Sequence, residues 1–187
     1  MGDQLSIRRA RIDDAPSVQL LVEEAVRWLG ATGFDQWQTP GFASLNRIER
    51  AIDAGELWVI HDAAALISTA TLNSYADPEF WTPSDDPATA LYLHRVVVRR
   101  ACAGRGIGAA VLDWAGEQAL AADLPLLRLD AWANNVQLHK YYLGQGFHLV
   151  RTLTLPHRGS GALFERSARY RTRRGPDLTR SANSAPA

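Results

Sequence analysis

The stretch that decides the fold is Leu91–Ala115, LYLHRVVVRRACAGRGIGAAVLDWA. Its opening, LYLHRVVV, is rich in β-branched residues and predicts a buried strand. Gly104, Gly106 and Gly108 then alternate through a turn, after which Val111, Leu112, Ala115 and Ala119 share one face of a helix. Downstream, LPLLRLDAW predicts a strand, NNVQLHKYYLGQG a helix and FHLVRTLTL another strand. Strand, glycine turn, helix and strand make a βαβ unit, which implies parallel pairing and a right-handed crossover.

Toward the N-terminus, Leu5–Arg9 predicts a short first strand. A helix follows from about Asp13, with Pro16 in its first turn and Val18, Leu21, Val22, Ala25, Val26 and Leu29 at helical spacing. The glycines and proline of GATGFDQWQTPGF interrupt that pattern. A second helix, Ser44–Ala54, stops at Gly55. Leu57–His61 and Ala64–Leu72 then predict a hairpin around Asp62-Ala63. The next segment, NSYADPEFWTPSDDPATA, is polar and proline-rich and predicts a loop.

The chain has 187 residues, enough for one domain with a self-sufficient core. No apolar run approaches the roughly 18 residues of a membrane span, and the first residues lack a signal-peptide core. Cys102 is the single cysteine, so neither an internal disulfide nor a Cys-based zinc cluster can form, and no metal site is expected. These features predict a soluble cytoplasmic protein. Its zero net charge is divided: residues 1–165 carry −5 and residues 166–187 carry +5. The acidic body argues against a general nucleic-acid binder. Residues 1–165 are expected to form the domain, and the arginine-rich 166–187 a disordered tail.

Glycines between a strand and a helix let the backbone approach a ligand, and the helix start offers unpaired N–H groups to an anion. Arg99, Arg100 and Arg105 add positive charge, so phosphate or pyrophosphate is the expected guest. A P-loop is excluded, because Ala109 follows Gly108 where Lys-Ser/Thr is required. A dinucleotide fold is a closer rival: Gly104-x-Gly106-x-x-Ala109 meets a relaxed fingerprint, with Asp130 at the position of a ribose-binding acid. Only 57 residues follow Asp130, too few to finish a doubly wound sheet.

These residues resemble the GNAT acetyltransferase superfamily. Its turn signature, Gln/Arg-x-x-Gly-x-Gly/Ala, falls on Ala103-Gly104-Arg105-Gly106-Ile107-Gly108, with Ala103 departing from the usual Gln or Arg. A second signature is met by Asn135, Tyr142, Gly146 and Phe147. The resemblance implies a single α/β domain with a mixed twisted sheet, flanking helices and a splayed slot for acetyl-CoA. It implies pyrophosphate contacts from Ala103 through Ala109, and pairing of the pantetheine arm with the backbone of Val96 and Val98. It further implies an oxyanion N–H at Val97, a contact to coenzyme A from Asn135, and Tyr142 at the thiol as general acid.

An amine must lose a proton to attack a thioester, and the departing thiolate must gain one. His94 has the residue type for proton acceptance near neutral pH and sits two positions before Val96; Asp130 and a water chain are the alternative bases. Trp28, Phe34 and Trp37 in the first loop and Trp81 in the later one, with Asp130, are candidates for an acceptor pocket suited to a cationic, partly apolar amine. The expected activity is acetyl transfer from acetyl-CoA to the primary amine of a small molecule. Acetylation of protein N-termini or lysines, and a non-catalytic CoA-binding module, stay open beside it. A homodimer is common in the family.

Overall fold

The computed structural model describes residues 5–63 and 65–181. In chain order the regular elements begin with β1 (Leu5–Arg9), α1 (Ala15–Ala31), α2 (Leu45–Asp53), β2 (Leu57–Asp62) and β3 (Ala65–Asn73). They continue with β4 (Ala90–Val98), α3 (Ile107–Ala121), β5 (Leu126–Trp132), α4 (Val136–Gly144), β6 (His148–Thr152), β7 (Ser160–Ser167) and β8 (Leu178–Arg180). The strand order is β6-β7-β5-β4-β3-β2-β1-β8. The chain groups into two compact units, and β3, β4 and α3 each contribute residues to both.

The first unit comprises Met1–Thr71, Arg95–Val111 and Arg174–Ala187. Here β1 and β2 run antiparallel, with Ile7 opposite Ile60, and β2 returns into β3 through the expected hairpin. Val18, Leu21 and Val22 of α1 and Ile48 of α2 pack with Leu57, Val59, Leu66 and Val97 of the strands. That is the helical stripe read from the sequence, and each such aliphatic contributes roughly 1.5–3 kcal/mol on burial. Arg8 fixes the entry to α1 through a bidentate pair with Asp14, at 2.7 and 2.8 Å.

The second unit comprises Leu72–His94 and Leu112–Arg173. Its β4 and β5 pair in parallel, as a βαβ unit requires, and β5 continues antiparallel with β7, which pairs with β6. Phe80 and Trp81 pack with Ala90, Tyr92 and Leu163. Two sequence expectations give way here. The loop after β3 is a packed element, because its aromatic pair lies in the core and arginines close over it. Arg128 stacks 4.7 Å from the Trp81 ring and donates to the Asp85 carbonyl at 2.6 Å, while Arg151 pairs with Asp85 at 2.6 Å.

The second correction concerns the tail. A boundary at 165 would cut β7, and Arg166 is among the most deeply buried side chains. Its guanidinium donates to the Gln145 carbonyl at 2.9 Å and stacks on Phe147 and Tyr170. Beyond it, Asp113 accepts from the backbone N–H of Thr172 and of Arg173, and Leu178–Arg180 form β8 parallel to β1. Residues 166–181 are therefore ordered, held by backbone pairing and charge that composition does not reveal. The last part of the expected tail, 182–187, lies outside the described residues.

Candidate active site

The decisive feature of β4 is a backbone reversal. Arg95 has φ 47°, the left-handed region that a side chain rarely occupies inside a strand. Such a residue is the mark of a bulge. It also breaks the two-residue alternation that would otherwise put His94 and Val96 on one face of the strand. In the second unit the β4–β5 ladder covers only Ala90–Tyr92 against Leu126–Arg128, although both strands run further. The pairing ends at Tyr92.

Past that point His94 and Asp130 face one another, with Nδ1 3.5 Å from Oδ1 and both side chains about one-fifth exposed. Tyr142 is half-buried on α4 against Phe147 and Phe164. Burial, then the nearby Tyr141 and Asp130, push its hydroxyl well above the ordinary tyrosine range, so at neutral pH it is a proton donor. Tyr141 is pushed up to about 12 by burial and stacks edgewise on Tyr142. Burial works to raise the Asp77 carboxyl, but the Arg158 guanidinium and the Glu79 N–H bound to it, with His94 in range, hold it below the usual carboxylate range. Tyr142, Asp130, His94 and Asp77 thus form one connected electrostatic group. Arg158, which donates to Asp77 at 2.8 Å, was missed in the sequence, where it stood in an irregular segment.

In the first unit, Val97 buries its side chain, its carbonyl accepts from Ser68 Oγ at 2.8 Å, and the Arg99 N–H donates to the Ile67 carbonyl at 2.8 Å. Both partners are on β3. A strand residue directs its N–H and C=O to the same edge, and neighbours alternate. The backbone groups of Val96 and Val98 therefore face the edge away from β3, where an extended ligand chain can pair.

The glycine turn has the conformation that phosphate contact needs. Gly104 and Gly106 have φ of 81° and 75°, and nothing lies within 4 Å of the position a Gly104 side chain would take. Ala103 and Arg105 flank that open residue, and Ile107, Gly108 and Ala109 form the first turn of α3. The turn's arginines are engaged elsewhere. Arg99 donates to the Leu66 carbonyl at 2.8 Å, and Arg105 pairs with Asp62 at 2.8 Å. The Arg100 guanidinium lies 3.9 Å over the Trp28 ring.

Other candidates divide. Asn135 caps α4, accepting from the Leu138 N–H at 3.0 Å. His139 bonds the Trp132 carbonyl at 2.8 Å, a structural contact. Trp28 is partly exposed beneath Arg100, Phe34 is half-buried, and Trp37 stacks on Phe42 at 4.8 Å. Trp81 does not fit the acceptor pocket expected of it. It is 4% exposed and serves as a core platform for Arg128 and Arg151.

Comparison with known families finds that the model of the acetyltransferase (GNAT) family matches residues 22–147. The chain belongs to the GNAT family. It is 30% identical over 144 residues to the uncharacterized N-acetyltransferase YesJ of Bacillus subtilis, covering 74% of this chain and 78% of that protein. A GNAT-family acetyltransferase structure from Listeria monocytogenes superposes with a TM-score of 0.71 at 26% identity, covering 87% of this chain and 94% of that one. The PaiA N-acetyltransferase of Thermoplasma acidophilum, crystallised with coenzyme A, gives 0.69 at 17% identity, with 88% and 99% covered. The fold is thus the α/β GNAT domain with a mixed sheet and flanking helices. This GNAT protein is an acyltransferase with acetyl-CoA as its co-substrate. Among the described residues no helix is long and apolar enough to cross a membrane.

Proposed function

We propose that this GNAT domain acetylates the primary amine of a small molecule by direct attack in a ternary complex. The observation that carries the proposal is the early end of the β4–β5 ladder at Tyr92, with the His94–Asp130 pair 3.5 Å apart just beyond it. Acetyl-CoA supplies an activated acyl group, and the chain's residues manage position and protons. Gly104, Arg105, Gly106, Ile107, Gly108 and Ala109 present main-chain N–H groups and a helix start to the pyrophosphate, whereas the Ala103 N–H is already given to the Arg100 carbonyl at 3.1 Å. Val96 and Val98 pair with the pantetheine arm as an added strand would, and Asn135 borders it.

His94 Nε2 takes the proton from the amine while Asp130 holds the opposite ring nitrogen and stabilises the imidazolium. Tyr142 Oη gives its proton to the departing sulfur, a role served by burial that keeps the hydroxyl protonated. Asp130, with Asp77 and Glu79 in the same unit, favours a cationic acceptor. The same reading makes the protein a cytoplasmic enzyme.

The test is thiol release from acetyl-CoA by the purified chain, across a panel of small primary amines and peptides with free N-termini or lysines. Turnover with a small amine above every peptide supports the reading. Preference for peptides overturns the substrate class, and tight acetyl-CoA binding without turnover overturns catalysis.

A further inference from the structure

Tyr142 stands in the last turn of α4, a helix of nine residues with no fully buried residue of its own. A helix that short is marginal in isolation, so contacts at its ends decide where its last turn lies. The Asn135 cap fixes its start. Its end is held from β7, where Phe164 and Arg166 are two residues apart and share one face. Phe164 packs on the Tyr142 ring, centroids 5.7 Å apart. Arg166 donates to the Gln145 carbonyl, just past the end of α4, and to the Leu112 carbonyl of α3.

Two short routes lead from that guanidinium to the tyrosine. Through the main chain, the Gln145 and Phe147 N–H groups both donate to the Tyr142 carbonyl, at 3.0 and 3.2 Å. Through side chains, the guanidinium lies 4.8 Å over the Phe147 ring, which in turn meets the Tyr142 ring at 5.8 Å. Tyr170 covers the corner from outside. Its ring occupies the position a Gly146 side chain would take and lies 5.7 Å from the guanidinium.

Arg166 is a costly way to fill this space. It is 1% exposed, its Nε has no hydrogen-bond partner, and the carboxylate of Asp113 stands 3.4 Å away. Apolar residues of similar volume commonly serve a core as well or better. What they lack is direction, here two N–H bonds that tie the end of α4 to α3.

We infer that Arg166 is a positioning residue for acetyl transfer, which holds the last turn of α4 so that the Tyr142 hydroxyl meets the departing sulfur. This rests on the proposal that Tyr142 is the general acid. The effect passes through Gln145 and Phe147, and a small misplacement of an acid is enough to slow the chemistry it serves.

The experiment is a double-mutant cycle read by thiol release from acetyl-CoA, with the panel amine that wild type turns over fastest. The chains are wild type, Arg166→Met, Arg166→Lys, Tyr142→Phe and the two double variants. Methionine fills the volume without donors, and lysine keeps the charge without the fork that spans two carbonyls. Each Arg166 variant is expected to lower kcat about tenfold or more, with the KM for acetyl-CoA within about twofold of wild type. In the Tyr142→Phe background the same changes should lower kcat by less than about twofold. Equal losses in both backgrounds mark a packing role and overturn the inference, as does an unchanged kcat. Tyr142→Phe without effect would defeat the acid assignment, and the inference with it. Hydrogen exchange at the Gln145 and Phe147 amides reads the anchoring separately and needs no acceptor. Exchange at least about tenfold faster in Arg166→Met, relative to the β5–β7 amides, is expected, and unchanged exchange overturns the inference. Where an Arg166 variant does not fold, Tyr170→Leu loosens the same corner from its exposed side, with the same dependence on Tyr142 expected and equal losses overturning it.

Discussion

His94 Nδ1 lies 3.5 Å from Asp130 Oδ1, where β4 and β5 have stopped pairing. A histidine held by a carboxylate on one ring nitrogen keeps the other available for an amine proton. We expect His94→Gln to lower kcat by about 10²-fold or more, and Asp130→Asn by less, with acetyl-CoA affinity within about threefold of wild type in both. An unchanged kcat in His94→Gln would move the base to Asp130 or to water.

Tyr142→Phe separates acid chemistry from packing, because the ring stays between Phe147 and Phe164. The expected outcome is a loss of about 10²-fold in kcat with little change in melting temperature. Since burial raises the Tyr142 pKa, the wild-type acid limb should lie above the ordinary tyrosine range near 10. A fall in rate near neutral pH that depends on Tyr142 would contradict this assignment.

Two glycines two residues apart should respond differently to alanine. Gly104→Ala meets open space and bears only the left-handed backbone cost of about 1 kcal/mol. Gly106→Ala bears that cost and also collides with the main chain at Arg174. Denaturant unfolding should show Gly106→Ala as the more destabilised by at least about 1 kcal/mol. Equal losses would mean that the C-terminal contact contributes nothing.

Arg151 and Asp85 tie the loop after β3 to β6. The Arg151 guanidinium holds the Asp85 carboxyl well below the usual carboxylate range. A depressed folded pKa stabilises the protein above the unfolded pKa, near 4, and that contribution fades as pH falls below it. Arg151→Gln should therefore lower the melting temperature by a few degrees at pH 7 and by progressively less toward pH 3. A pH-independent difference would show that the contact acts through packing on Trp81 alone.

Ending the chain after residue 165 should give insoluble protein, because it removes Arg166 and Ala168, both buried, and everything that meets Asp113. Recovery of folded protein from the shorter chain would restore 165 as the boundary.

The sequence by itself determined the local elements and the outline of the site. Helical spacing from Val18 to Leu29 predicted α1, apolar runs around Asp62-Ala63 predicted the hairpin, and strand, glycines and helix predicted the parallel β4–α3–β5 unit. Tyr142 was legible through its spacing from Asn135 and Gly146-Phe147. These signals are local, since a helix or strand writes its buried face into residues a few positions apart. Only the tertiary structure decided the rest. The reversal at Arg95 has no residue signature, because arginine adopts it under long-range constraint. β7 escaped notice because ALF within SGALFERS is too short a run to tell strand from loop until β5 and β6 flank it. Trp81 looked like a pocket residue until Arg128 and Arg151, far along the chain, were found stacked on it. The C-terminal arginines looked like a solvated tail for the same reason: composition records how much charge a segment carries, whereas its partners across the fold decide whether it is ordered.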